Sequence, residues 1–401
     1  MDLAFLKPLL KPADTKIVLL VMDGLGGLPR EADHKTELEA AHTPNLDTLA
    51  AEGICGLQQP VLTGITPGSG PGHLSLFGYD PIKYQVGRGI LAASGIGFDL
   101  HEKDVAARGN FCTIDQDDRV VDRRAGRIST ETNQELCDLL RTIDIPDVQV
   151  FVETVKEHRF LLVLRGEGLD GALLDTDPQE LGKHPLPAKA KNPHATYTAS
   201  IVEQFLEQAH ELLQDQHPAN MVLLRGFSQK PQWPKFQESF GLISAAIAAY
   251  PMYRGLAKLL GMTVLQTEST LEDEVSTLEH HWSDYDFFYL HVKGTDSSGE
   301  DGDFKRKVHV IEEVDRYLPR IRSLKPDVII VTGDHSTPAR LRAHSWHPVP
   351  VLLWSPHCRP DGVTQFGEQA CITGGLGPRF PGVDLLPLAL AHAKRLEKFG
   401  A

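Results

Sequence analysis

The chain has 401 residues, of which 41% are hydrophobic and 23% charged, and its formal net charge is −14. That length suits about two or three domains at roughly 100–200 residues each, and the composition is that of a globular protein. The acidic balance excludes a protein that coats nucleic acid through a basic face, while a local arginine cluster would still admit a small anionic substrate. In chain order, the run 16–23 ends in Met22-Asp23-Gly24 and predicts a strand. Segment 43–53 predicts a short helix, with Pro44 in its first turn and Gly53 as its stop. Segment 61–72 is rich in glycine and proline, and a helix is expected from about Gly72-His73-Leu74.

Near residue 100 the pattern changes. Asn110 to Asp115 and Arg119 to Asp122 read as a hairpin around Gln116-Asp117-Asp118, and Val148 to Val155 pairs naturally with Arg159 to Leu164. A helix over 195–214 follows the link His184-Pro-Leu-Pro187. Apolar and polar residues alternate here, as they do in half-exposed antiparallel strands. The first pattern is expected to resume near Met221-Val-Leu-Leu-Arg225, with a helix over 242–260 and strands over 262–267, 286–292, 328–332 and 349–354. The expected fold is α/β: a mostly parallel sheet flanked by helices, built from residues 1–99 and 219–401, with a smaller α+β domain inserted at 100–218. No apolar stretch approaches the roughly 20 residues of a membrane span, and the start Met1-Asp2-Leu3-Ala4-Phe5-Leu6-Lys7-Pro8 lacks a basic segment followed by an apolar core. Cysteines at 55, 112, 137, 358 and 371 are odd in number, widely spaced and without a Cys-x-x-Cys, which predicts reduced thiols and a cytoplasmic setting.

Short apolar runs bounded by polar residues and glycine are interior strands of a parallel sheet. Functional groups in such sheets collect beyond the carboxyl ends of the strands. Asp23, Asp296, Asp334 and His335 all follow such runs, and His344 and His347 precede Val349 to Trp354. Each has an ordinary reading as well: a helix cap for Asp334, a turn for Asp23, an Asx-turn for Asp296 and a solvated loop for His344. Together they predict a metal centre. Carboxylate and imidazole ligands suit manganese, zinc, cobalt or iron, with magnesium where oxygens dominate. Ser69 lies in Thr66-Pro-Gly-Ser-Gly-Pro-Gly-His73, before a helix whose free N–H groups favour an anion; the plain alternative is a capped glycine loop, and His73 reads as structural. Arg108, Arg123, Arg124, Arg127 and Arg225, with Arg254 further on, read either as solvated side chains or as forks for carboxylate and phosphate.

In order along the chain, Met22-Asp-Gly-Leu-Gly26, Pro67-Gly-Ser69, Gly78-Tyr-Asp-Pro81, Gly87-Arg-Gly89, Arg108-Gly-Asn-Phe111, Val121-Asp-Arg-Arg-Ala-Gly-Arg127, Lys293-Gly-Thr-Asp296, Asp301-Gly302 and Gly333-Asp-His-Ser-Thr-Pro338 resemble the cofactor-independent phosphoglycerate mutases of the archaeal type, in the alkaline phosphatase superfamily. The resemblance implies one metal held by Asp23, Ser69, Asp334 and His335, with Ser69 carrying the phosphoryl group. It implies a second held by Asp296, position 300 and His344, and substrate held by the arginines. Position 300 is Glu where the family pattern has His, which favours manganese or magnesium over zinc, and His347 is expected to supply the missing imidazole or to orient Glu300. Gly70-Pro71 stands where the family often has a polar pair.

The function implied is interconversion of 3-phosphoglycerate and 2-phosphoglycerate in glycolysis and gluconeogenesis, through phosphoserine and without 2,3-bisphosphoglycerate. Two divalent ions are expected, manganese first, with magnesium, cobalt or zinc as alternatives. The partner is a small phosphorylated anion, with no nucleic acid or membrane, and the oligomeric state stays open. Alternatives are a metal-dependent phosphatase or other phosphotransferase on the same core, and a non-catalytic binding protein.

Overall fold

The structure is a computed structural model that describes residues 3–400; Met1, Asp2 and Ala401 lie outside the described residues, so only part of the N-terminal stretch read above is described. The strands are β1 (Ile17–Met22), β2 (Ile54–Gln59), β3 (Val105–Ile114), β4 (Val120–Asp122), β5 (Gln149–Lys156), β6 (Arg159–Arg165), β7 (Met221–Gln229), β8 (Ser244–Ala248), β9 (Thr263–Leu265), β10 (Phe287–Val292), β11 (Val328–Thr332), β12 (Val349–Trp354) and β13 (Gly377–Pro381). They form two sheets in two units, one made of the residues through Gln85 and from Trp233 onward, the other of Val86–Gln232.

The first unit holds an eight-stranded sheet in the order β13-β2-β12-β11-β1-β10-β8-β9. Strands β11, β1, β10, β8 and β9 run parallel, while β12 lies antiparallel between β11 and β2. Every residue of β1, β8, β10 and β11 is buried, as expected for strands covered on both faces. The helix Phe304–Ser323 lays Ile311, Val314, Leu318 and Ile321 against one face, with apolar residues three or four apart at each step. Because β12 is reversed, its start lies at the same edge as the ends of β1, β10 and β11. Residues before β12 therefore meet residues after the other three.

Two sequence expectations change in this region. The helix expected over 242–260 is a short helix (Phe236–Phe240), strand β8 and a second helix (Pro251–Leu259). Ala245, Ala246 and Ala248 favour a helix in isolation, but the segment is paired with β10 on one side and β9 on the other, and that pairing decides. The helix expected from Gly72 begins earlier, so that Ser69 is its first residue (Ser69–Leu76).

The second unit holds a five-stranded antiparallel sheet in which β3 pairs with β4, β6 and β7, and β6 with β5. Helices Thr130–Leu140 and Thr196–Leu213 contribute Leu136, Leu140, Val202 and Phe205 to its core. The run Met221 to Arg225, read as the return of the first sheet, is part of β7 and pairs with β3 through Met221 and Cys112, and Val222 and Phe111. An apolar run marks a strand without saying which sheet receives it. The helix Arg88–Ile96 also belongs here: a Cβ on Gly89 would lie 2.2 Å from the Ala106 carbonyl oxygen, so the helix rests directly on β3. The divisions accordingly fall at 85/86 and 232/233, outside the expected 99/100 and 218/219.

One buried acid in the first unit sets a pH dependence. Glu274, on the helix Leu271–His280, is 4% exposed, and burial pushes its carboxyl up to about 8 against the Ala249 N–H. An unfolded Glu titrates near about 4.3. The folded pKa is the higher one, so the stability present below pH ~4.3 is lost progressively as pH rises toward about 8. Glu274→Gln removes that loss. Thermal unfolding should show the variant gaining on the wild type at pH 7.5 and the gain shrinking toward pH 4; an equal difference at both pH values would contradict the assignment.

Candidate metal and phosphoryl-transfer centre

Asp23 follows β1, Asp296 lies on the helix Gly294–Asp301 after β10, Asp334 and His335 follow β11, and His344 precedes β12. The sheet edge brings these together with Ser69. His335 Nε2 lies 3.2 Å from Ser69 Oγ, 3.3 Å from Asp23 Oδ1 and 3.2 Å from Asp334 Oδ2. Asp23, Asp334 and His335 are fully buried. On the other side of His335, the His344 ring stacks at 3.6 Å between centroids, and His344 Nε2 lies 3.6 Å from Asp296 Oδ1. Two groups result, Asp23 with Asp334 and His335, and Asp296 with His335 and His344, each with ligand-type atoms within 4.8 Å of one another.

Close backbone approach explains the glycines around these residues. Gly24 has φ of +65°, and a Cβ there would meet Thr337 Oγ1 at 2.5 Å and Asp296 Oδ1 at 2.9 Å. A Cβ on Gly72 would sit 2.3 Å from the Asp334 carbonyl oxygen, so only glycine lets the helix that starts at Ser69 press on the Asp334 loop. Pro71 lacks an N–H, which leaves the amides of Ser69 and Gly70 as the anion-facing donors of that first turn.

Buried charge is balanced by named partners. Burial alone would raise the Asp23 carboxyl; the hydrogen bond from His291 and the charges of Lys293 and His291 overcome it and hold the group well below the usual range. The Tyr253 hydroxyl donates to Asp23 Oδ2, and His291 Nε2 and Lys293 Nζ each lie 3.1 Å from it. Lys293 also pairs with Asp296; burial lowers its ammonium pKa, and the Asp23 and Asp296 charges raise it above the ordinary lysine value. His73, read as structural, is fully buried with Nδ1 2.9 Å from the Ser69 carbonyl oxygen and 3.1 Å from Asp334 Oδ2. Burial lowers its pKa, and Asp334, Asp23 and the Ser69 carbonyl together raise it above the ordinary value.

Lys307 holds the loops in place. Its side chain is fully buried, and Nζ donates to the carbonyls of Gly24 at 2.9 Å, Gly26 at 3.1 Å and Thr337 at 2.9 Å. All three ammonium protons are used, and they join the loop after β1 to the loop after β11. Lys307→Met removes all three bonds; the Gly24 and Gly26 carbonyls still accept from the Thr337 N–H, so the Thr337 carbonyl is the buried group left without this donor, at about 1–3 kcal/mol. We expect about that loss of stability, read as a lower denaturant midpoint for the first unit; a stability within about 0.5 kcal/mol of wild type would contradict it.

The donor set fits divalent cations. Asp23 Oδ1 and Asp334 Oδ2 are buried without an aligned hydrogen bond. His344 Nδ1 lies 3.0 Å from the Pro67 carbonyl oxygen, which only accepts, so the proton is on Nδ1 and the Nε2 lone pair faces Asp296. Carboxylate oxygens without aligned donors in the first group, and an imidazole lone pair facing a carboxylate in the second, are unfavourable until a cation lies among them.

The remaining expected residues divide. Glu300 Oε1 lies 3.9 Å from His344 Nε2 with a side chain 56% exposed, beside the second group without being packed into it. His347 has its Nδ1 3.0 Å from Ser345 Oγ and its ring stacked on Trp346, and neither cation-competent group includes it. In the second unit, Arg108 is partly buried, with its Nε buried and unpartnered; burial and the charges of Arg88, Arg159 and Arg225 push its guanidinium down to about 9. Arg225 lies 3.5 Å from both Asp175 and Asp177. Arg123 is engaged by Asp177 at 2.9 and 2.6 Å, while Arg124, in a turn, and Arg127, at the end of the 3-10 helix Ala125–Arg127, are exposed. Arg254 belongs to the first unit, where it donates to Gln266 at 3.2 Å.

A family model described as 2,3-bisphosphoglycerate-independent phosphoglycerate mutase matches residues 50–220. A probable enzyme of that name from Thermotoga neapolitana is 54% identical over 399 residues, covering 99% of this chain and 98% of its own length. The chain belongs to this family. The corresponding Thermus thermophilus protein, also named as probable, is 53% identical over 401 residues, with 99% and 98% covered. Among solved structures, a Pyrococcus horikoshii protein superposes with a TM-score of 0.82 at 32% identity, covering 96% of this chain and 99% of its own. The cofactor-independent phosphoglycerate mutase of Thermoplasma acidophilum gives 0.73 at 31%, covering 94% and 100%. These likenesses agree with the expected family and with the α/β class.

Family membership was legible in the order of the motifs. Lys293, His291, Tyr253, Lys307, Thr337, Arg88 and Arg159 lie outside the site residues read from the sequence. Lys293, Arg88 and Thr337 do stand inside the quoted motifs, and a place three residues before Asp296 is the available signal for Lys293. Tyr253 and His291 look like core residues in sequence and are buried as such.

Proposed function

We propose that the protein interconverts 3-phosphoglycerate and 2-phosphoglycerate without 2,3-bisphosphoglycerate, with Ser69 as the transient phosphoryl carrier, in glycolysis and gluconeogenesis. The observation that carries this reading is Ser69 Oγ at the first turn of a helix, 3.2 Å from His335 Nε2 and beside the buried carboxylates of Asp23 and Asp334, in a member of the mutase family. Ser69 Oγ forms the new bond to phosphorus while the bond to the first glycerate oxygen breaks, the Ser69 proton passing in net to that departing oxygen. The other glycerate hydroxyl then attacks phosphorus, and Ser69 Oγ leaves, taking back in net the proton which that hydroxyl gives up. Ser69 Oγ is the nucleophile of the first half-reaction and the leaving group of the second, and the Ser69 and Gly70 amides stabilise the phosphoryl oxygens.

Asp23, Asp334, His335 and Ser69 would hold one divalent cation, and Asp296, His344 and Glu300 with His335 nearby would hold another. When bound, such cations supply positive charge that eases ionisation of a hydroxyl and offsets the charge on a transferring phosphoryl group. An oxygen-rich second set with Glu300 favours manganese, then magnesium, over zinc or cobalt. Lys293 pairs with both Asp23 and Asp296, and its charge helps to lower the Asp23 carboxyl pKa. Arg108, with Arg88, Arg159 and Arg225, supplies the anion-binding chemistry that a phosphorylated carboxylic acid requires, and the unpartnered Arg108 Nε supports that role. Arg123, Arg124 and Arg127 of the second unit and Arg254 of the first are further candidate substrate-binding residues. Five free cysteines support a cytoplasmic setting, and among the described residues no helix is long and apolar enough to cross a membrane.

Product analysis tests the reading. Incubated with manganese and 3-phosphoglycerate, and without 2,3-bisphosphoglycerate, the protein should yield 2-phosphoglycerate, followed by phosphorus NMR. Release of inorganic phosphate and glycerate instead would identify a phosphatase.

A further inference from the structure

We infer that Thr337 is a positioning residue that ties the two cation-competent groups into one unit by fixing the tautomer of His335 and the orientation of Asp296 together. The inference rests on the reading that these groups hold cations. Thr337 Oγ1 lies 2.7 Å from Asp296 Oδ1 and 2.9 Å from His335 Nδ1, and the residue is fully buried. A hydroxyl has a single proton to donate. Asp296 is paired with Lys293 and, as a carboxylate, only accepts. The Thr337 proton therefore goes to Asp296, and the bond to His335 can form only if His335 Nδ1 carries the proton and Thr337 accepts it. In a neutral imidazole that leaves the lone pair on Nε2, the atom 3.2–3.3 Å from Ser69 Oγ, Asp334 Oδ2 and Asp23 Oδ1.

One hydroxyl thus aims His335 toward the first group while anchoring a carboxylate of the second. Its own position is set by packing. Thr337 N donates to the Gly24 and Gly26 carbonyls, its carbonyl oxygen accepts from Lys307, and the lack of a Cβ on Gly24 leaves the space that Oγ1 occupies. The Pro67 carbonyl does for His344 what Thr337 does for His335, so both stacked imidazoles direct Nε2 at the cation-competent space.

Thr337→Val keeps the side-chain volume and removes the hydroxyl; Thr337→Ser keeps the hydroxyl. Calorimetric titration of the metal-free proteins with manganese should show affinity at both sites lowered about 10–100-fold in Thr337→Val, as for loss of other groups that orient metal ligands, and restored in Thr337→Ser. Wild-type affinity in Thr337→Val, or equal losses in both variants, would overturn the inference while leaving cation binding intact; a wild-type protein that binds no manganese would overturn both. If Thr337→Val fails to fold, the zinc-loaded wild type decides. The His335 Nδ1 proton should be protected from solvent exchange in its NMR spectrum, and rapid exchange would overturn the assignment.

Discussion

Replacing Ser69 by alanine should abolish mutase turnover, with a loss on the order of 10⁵-fold or more, the scale seen when a catalytic serine is removed. Most of the loss should fall on kcat, because the missing atom is the one that forms the bond to phosphorus. Stability should change little. Ser69 Oγ is in contact with His335 Nε2 at 3.2 Å, a single hydrogen bond worth about 1 kcal/mol, and alanine is a good first residue for the helix Ser69–Leu76. Manganese binding should weaken but persist, since Asp23, Asp334 and His335 remain. A variant with unchanged fold and metal content and more than about 1% of wild-type turnover would remove Ser69 from the mechanism.

Asp334→Asn should have the second-largest effect, lowering turnover by about 10³-fold or more, the upper range for losing one preorganised electrostatic group. The Asp334 carboxylate is fully buried, accepts from the Gly24 amide at 3.1 Å and has Oδ2 free of aligned donors. Burial and the Asp23 charge oppose its ionisation, while His335 and His73 favour it and hold the carboxyl below its ordinary range. Asparagine keeps the oxygen that meets Gly24 and removes the charge that a cation needs. In the wild type, manganese at a hundredfold excess over its Kd should stabilise the fold by about 2.7 kcal/mol. That gain, read as a rise in melting temperature reversed by chelator, should largely vanish in the variant. A full metal-induced rise in Asp334→Asn would place the cation elsewhere.

Residues that end apolar strands were legible because burial of a short β run and a polar terminus leave a clear local pattern. Asp23, Asp296, Asp334 and His335 carry it, and the structure brings them to one edge with Ser69 and His344. What escaped depends on long-range geometry. Lys307 lies in the helix Phe304–Ser323, which reads as an ordinary amphipathic element, and nothing local says that its ammonium is fully buried under three carbonyls. The alanines of β8 suggest a helix until flanking strands claim the segment. Strand β7 is apolar enough for either sheet, and pairing with β3 assigns it to the second unit. His347 follows His344 closely in sequence, while in the structure its Nδ1 lies 3.0 Å from Ser345 Oγ, a contact that the spacing alone does not reveal.

The most direct test follows the phosphoryl group itself. Rapid quenching of the manganese-loaded protein mixed with 3-phosphoglycerate, followed by peptide mass spectrometry, should find phosphate on the peptide containing Ser69, absent without substrate. Its appearance should be fast enough to account for turnover. Full turnover with no phosphate on Ser69 at any quench time, or with phosphate on another residue, would contradict the account.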